Sequence, residues 1–169
     1  MKIYLIGMPG SGKTSLGFRL ANILGYKFYD TDWCIEKTYK KKIYEIFENG
    51  ENYFRELETE TLKSLSLMNK KAVISTGGGI VERKQNKSIM KDTGIVIYLE
   101  RDIDEILKFA SAKNRPLLKH DRKKVLKELY ENRNEKYIDF SDFQVKIKNS
   151  LFLTANYIKN ELKRQGYKL

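Results

Sequence analysis

The octapeptide Gly7-Met8-Pro9-Gly10-Ser11-Gly12-Lys13-Thr14 constrains this chain more than any other stretch. It matches G-x-x-x-x-G-K-[ST] in full, and its flanks are those the pattern demands: residues 2–6 (KIYLI) read as a strand, and residues 15–24 (SLGFRLANIL) carry apolar positions at helical spacing. Glycines let backbone N–H groups curl around phosphate oxygens, and the following helix adds its positive N-terminal end. Lys13 is expected to reach the β- and γ-phosphates and the Thr14 hydroxyl to ligate Mg²⁺, with Gly10, Ser11, Gly12 and Ser15 completing the nucleotide-binding stretch. The ligand this implies is a nucleoside triphosphate.

The rest of the chain continues an α/β pattern. Lys27–Asp30 (KFYD) reads as a second strand, and Ile35, Ile43, Ile46, Phe47, Phe54, Leu57 and Leu65 follow at helical spacing, interrupted near Asn49-Gly50, as a helical insertion. Residues 72–76 (AVIST) and 95–99 (IVIYL) are β-branched runs suited to buried parallel strands, with a helix over 85–91 between them. A helix over 102–109, a polar loop over 110–121, a long helix over 122–137, a strand over 143–147 (FQVKI) and a helix over 151–162 complete the pattern. Five strands alternating with helices predict a three-layer α/β/α domain spanning residues 1–169, with a five-stranded parallel sheet and its ligand site at the strands' C-terminal edge.

Composition narrows the partners. The 169 residues suffice for one domain with one core. No apolar run approaches the roughly 18 residues a membrane span needs, and Cys34, the only cysteine, forms no internal disulfide, so a cytoplasmic protein is expected. His120, the only histidine, leaves nothing for zinc. The net charge of +11 raises nucleic acid as a partner, but 25 of the 33 basic residues are lysines, scattered and interleaved with glutamates as in Glu36-Lys37 and Lys127-Glu128. Such lysines read as solvated helix faces whose field steers small anionic substrates. No nucleic-acid or membrane partner is expected, and a monomer is.

Two features bear on the chemistry. Many P-loop proteins hold Mg²⁺ with a carboxylate at the end of the strand beside the first, whereas here that strand runs into Ser75-Thr76-Gly77-Gly78-Gly79 without an acid. Asp30, which ends the second strand, is the substitute, acting through water. The three glycines either let the backbone approach a ligand with free N–H groups, or form a tight turn that permits helix packing.

In order along the chain, GMPGSGKT, DTDWCIE, IYEIFENGENYFRELE, STGGGIV, RPLL and Arg133 with Tyr137 together resemble shikimate kinase, a small P-loop kinase of the nucleoside monophosphate kinase type. The resemblance implies transfer of phosphate from ATP, with Mg²⁺, to the 3-hydroxyl of shikimate. It matches Asp32 to the residue that holds the acceptor hydroxyl and takes its proton, Arg55 and Arg133 to the carboxylate clamp, Gly77, Gly78 and Gly79 to the substrate-side turn, and Arg115 to the arginine of a lid over about 110–122. The substrate-binding region would cover about 31–60, with Phe47 and Phe54 as apolar walls or as core. From the residues alone, Asp32 also suits an N-cap for a helix starting near Trp33, and each arginine a surface ion pair. Two departures stand out: Lys108 occupies the place of the family's adenine-side arginine, and Asn134-Glu135-Lys136 replace a stretch that commonly holds a proline. The rival on the same fold is a gluconate or nucleoside monophosphate kinase. Closing a lid excludes water and brings a cation to the transferring group. Arg115→Ala should therefore lower kcat far more than it weakens shikimate binding, as measured by steady-state kinetics beside a binding titration.

Overall fold

β1 (Lys2–Ile6), the strand that leads into the glycine loop, is buried along its whole length, as an apolar run without polar alternation requires. In the computed structural model, which describes residues 1–109, 122–147 and 150–169, it lies at the centre of a parallel sheet. β2 (Lys27–Asp30), β3 (Ala72–Ser75), β4 (Gly94–Glu100) and β5 (Phe143–Lys146) complete that sheet in the order β2-β3-β1-β4-β5. The chain crosses to opposite sides of β1 to form β3 and β4, so β1 borders the switch point where ligands bind in such sheets. Register places Leu5 beside Ser75 and Ser75 beside Asp30. The ends of three strands therefore stand abreast, two residues from Gly7.

Alternation along β1 divides the core. Ile3 and Leu5 face α1 (Lys13–Leu24) and α8 (Leu151–Arg164), where Leu16, Leu20, Ile158 and Leu162 meet them. Tyr4 and Ile6 face the other layer, built from α4 (Glu51–Leu67), α5 (Gln85–Lys91), α6 (Ile103–Phe109) and α7 (Arg122–Phe140), through Leu62, Met90, Ile106, Leu126 and Tyr137. α2 (Thr31–Tyr39), α3 (Ile43–Phe47) and the first turns of α4 form the insertion around a core of their own, Ile35, Ile46, Phe54 and Leu57.

The expected break near Asn49-Gly50 is present, with Gly50 at φ 100 before α4. A second break at Lys40, left-handed at φ 52, has no glycine to announce it. α2 begins at Thr31, two residues before the position read from the sequence, and α7 and α8 run on to Phe140 and Arg164. Among the described residues no helix is long and apolar enough to cross a membrane.

Gly94 opens β4 directly opposite Lys2. A methyl group there would run into the Lys2 carbonyl, 2.8 Å from its carbon. Gly94→Ala should cost about 1–3 kcal/mol by forcing the central strands apart, read as a lower urea midpoint at unchanged slope.

Candidate active site

The glycine loop bends through Gly10 at φ 82 and Gly12 at φ 97, conformations that side chains with a Cβ rarely adopt. Ser11 closes it by donating its N–H to Met8 O at 3.1 Å. α1 then starts at Lys13 behind Gly12, which supplies no side-chain cap, so its first amides are left for an anion. The Lys13 ammonium is buried and donates to the carbonyls of Gly7 and Met8 at 2.7 and 2.8 Å, which holds its charge at the loop. The Ser11 hydroxyl is buried without a hydrogen-bond partner among the described residues. A phosphate oxygen would satisfy it.

The abreast strand ends build an oxygen cluster next to the loop. Thr14 Oγ1 donates to Asp30 Oδ2 at 2.8 Å and lies 3.5 Å from Ser75 Oγ. Asp30 Oδ1 turns the other way and accepts the N–H groups of Asp32 and Trp33 at 3.1 and 3.4 Å. Asp30 is thus the N-cap of α2, and the cap alternative considered for Asp32 is corrected: Asp32 lies inside the first turn because the helix starts at Thr31. The Thr14 hydroxyl, with the Asp30 carboxylate on one side and the Ser75 hydroxyl on the other, forms the kind of hard-oxygen set that suits Mg²⁺, a cation that keeps several waters and shares its shell with phosphates. Among the described residues no group of three or more His, Cys, Asp and Glu could hold a metal, so a cation here depends on the hydroxyls and on the nucleotide.

The turn after β3 joins nucleotide loop and insertion. Thr76 anchors it by donating N–H and Oγ1 to the Leu5 carbonyl at 3.1 and 3.0 Å. None of Gly77, Gly78 and Gly79 has a left-handed φ, so space, not conformation, demands glycine. The missing side chain of Gly77 faces Glu58 and Asp32, 2.9 Å from Asp32 Oδ1; that of Gly78 faces Pro9, 2.7 Å from Cγ; that of Gly79 faces the Arg55 guanidinium. Contrary to the expectation of free amides along this turn, the Gly77 N–H donates to Thr31 Oγ1 at 2.9 Å.

Arg55 and Arg133 are both buried, which removes the surface-pair alternative for them. Arg55 Nη1 donates to Glu58 Oε2 at 2.7 Å, and its Nη2 and Nε donate to Glu51 Oε1 at 2.9 and 3.3 Å. Burial pushes the Glu58 carboxyl up, and the opposing pull of Arg55 does not cancel it. Arg133 Nε donates to Glu82 Oε1 at 2.5 Å, and Lys136 Nζ donates to Glu82 Oε2 at 2.5 Å. Burial works to raise the Glu82 carboxyl, but bonds from Lys136 and Arg133 hold it below the ordinary range. The Tyr137 hydroxyl donates to Gly78 O at 2.5 Å while its ring stacks on Tyr98 at 5.1 Å, so α7 grips the glycine turn as well. The Phe47 and Phe54 rings meet at 4.4 Å, tilted by 30°, with the Arg55 guanidinium 5.1 Å from the Phe54 ring.

A model of the shikimate kinase family matches residues 9–163. The chain belongs to the shikimate kinase family. A shikimate kinase from Clostridium beijerinckii is 43% identical over 136 residues, covering 80% of this chain and 79% of that one. The solved structure of a shikimate kinase from Acinetobacter baumannii in complex with shikimate superposes with a TM-score of 0.93 at 33% identity, covering 99% of this chain and 95% of that one. A gluconokinase from Sinorhizobium meliloti, with a TM-score of 0.55 at 12% identity over 98% of this chain and 97% of that one, shares the fold alone.

Several residues of this shikimate kinase family member were missed or stand apart. The sequence does not point to Glu58, Glu82 or Thr31, apart from the i, i+3 spacing of Arg55 and Glu58 in FRELE. Lys108 is exposed on α6. Cys34 is half-buried, and burial, then Asp30, raises its thiol, as suits an inert packing residue. Arg115, Pro116, His120 and the expected lid, apart from its last residue, lie outside the described residues. Gly79→Ala puts a methyl where the Arg55 guanidinium sits. Displacing a charged hydrogen bond is worth about 1.5–3 kcal/mol, so KM for shikimate should rise about tenfold or more with the circular dichroism spectrum unchanged.

Proposed function

We propose that this chain transfers the γ-phosphoryl group of ATP to the 3-hydroxyl of shikimate, giving shikimate 3-phosphate and ADP on the route to chorismate and the aromatic amino acids. The observation that carries the reading is the meeting of Pro9, Asp32 and Arg55 on one glycine turn, which brings the phosphate loop within a residue or two of a carboxylate and a guanidinium. A nucleotide-binding element and an acceptor-binding element thus share one wall. The match to shikimate kinases over most of the chain supports the choice of acceptor.

In this reading the loop amides of Gly10, Ser11, Gly12, Lys13, Thr14 and Ser15 hold the phosphates, and the Lys13 ammonium leaves its two carbonyl partners for the β- and γ-phosphates. Thr14 would hold Mg²⁺ directly and Asp30 through water, and such an ion would supply charge neutralisation at the phosphates. Arg55 and Arg133 fix the shikimate carboxylate by the planar fork that suits it. Asp32 orients the 3-hydroxyl and takes its proton as the oxygen–phosphorus bond forms and the bond to ADP breaks. Lys108 stands on the adenine side, and Arg115 supplies the lid cation; the roles of these two rest on the sequence motif alone. The reading includes a cytoplasmic monomer that binds neither nucleic acid nor membrane.

Coupled ADP release, with shikimate compared against gluconate and AMP and with Mg²⁺ present or chelated, tests the proposal. Turnover should require both shikimate and Mg²⁺, and its absence with shikimate overturns the reading. Asn caps helices as well as Asp does, so Asp30→Asn separates the metal role from the cap: it should raise the Mg²⁺ concentration required while the melting temperature stays within a few degrees. Asp32→Asn should abolish transfer and leave ATP binding nearly intact.

A further inference from the structure

We propose that Glu51 occupies the substrate-carboxylate position on Arg55, so that shikimate must displace this side chain to bind there. The inference rests on the reading of Arg55 as a carboxylate clamp.

Arg55 donates in two directions that differ in burial. Its Nη1 points to Glu58, whose side chain is 1% exposed, while its Nε and Nη2 point to Glu51, whose side chain is 62% exposed. Breaking the inner pair would strand a buried charge, so that contact is permanent. An ion pair as exposed as the outer one is weak and is exchanged easily. The Nε–Nη2 edge is also the side of the fork that takes a carboxylate through two parallel bonds. Glu51 brings only one oxygen, Oε1, to both nitrogens at 3.3 and 2.9 Å. A planar carboxylate arriving from outside can give one oxygen to each.

The surroundings fit an exchangeable occupant. The pair lines a cavity of about 600 Å³ together with Glu82 and Arg83, so an incoming anion reaches Arg55 on the side Glu51 covers. Glu51 is the first residue of α4, in the first turn after Gly50. Once released, its carboxylate keeps the attraction of the helix N-terminus. Glu82, which holds Arg133, is different: Lys136 holds it too, and its side chain is only 25% exposed. Among the described residues Glu51 bonds Arg55 alone. An acceptor without a carboxylate has nothing with which to displace it, so the same contact favours carboxylate-bearing acceptors.

Initial-rate kinetics of Glu51→Gln with shikimate and ATP varied separately, alongside calorimetric titration with shikimate, test the proposal. KM and Kd for shikimate should both fall about twofold to fivefold, the size of an exposed ion pair's coupling, with KM for ATP unmoved. Glu51→Ala should behave alike, which removes any part played by the glutamine amide. Unchanged constants overturn the proposal, and so does a raised KM for shikimate, which would make Glu51 a positioning residue for Arg55. Arg55→Lys serves as the control. If wild type binds no shikimate, or Arg55→Lys binds it normally, the clamp reading fails, a result distinct from failure of the competition.

Discussion

Leu5, Ser75 and Asp30 stand abreast on three parallel strands, and that register decides where everything chemical can sit. β1 delivers the phosphate loop, β3 the Ser75 hydroxyl and the glycine turn, and β2 a carboxylate that caps α2 with one oxygen and meets Thr14 with the other. A slip of one residue in either pairing would turn Asp30 or Ser75 to the opposite face and dismantle the cluster. The buried alternation of Ile3 and Leu5 against Tyr4 and Ile6 prevents such a slip, because each set has its own core to fill.

Charge is organised in two tiers. The net charge of +11 comes mainly from lysines scattered along the chain and acts as a field. The arginines of the site are compensated one by one, Arg55 by Glu58 and Glu51 and Arg133 by Glu82. An uncompensated guanidinium at that burial would be costly, and an anionic substrate gains only what it offers beyond the carboxylates already there. If Arg55 and Arg133 bind the acceptor as proposed, its affinity is a difference between competing carboxylates rather than the sum of two attractions.

Local patterns carried much of the fold and of the site. The loop motif with its strand and helix, the five strands, the insertion and the helix over Gln85–Lys91 were legible because hydrophobic period and glycine position express themselves within a few residues. The matches of Arg55, Arg133, Asp32 and the glycines named residues that the structure does bring together. Three details were not legible. Asp30, not Asp32, caps α2, since two neighbouring aspartates suit the role equally and only the path of the chain out of β2 chooses. The Gly77 amide is taken by Thr31, 46 positions away. Tyr137 reaches the Gly78 carbonyl across 59 positions, a pairing no local pattern encodes.

By itself the sequence determined the class of ligand, the α/β architecture and the family, because phosphate binding by backbone amides and parallel-strand burial both demand particular residue types at short, fixed spacings. Only the tertiary structure decided why the three glycines must be glycines and which carboxylates hold which arginines. Those answers depend on atoms from the phosphate loop, α2, α4 and α7 arriving within van der Waals or hydrogen-bond distance of one turn, and such contacts come into being only when the sheet register and the helix packing are set together.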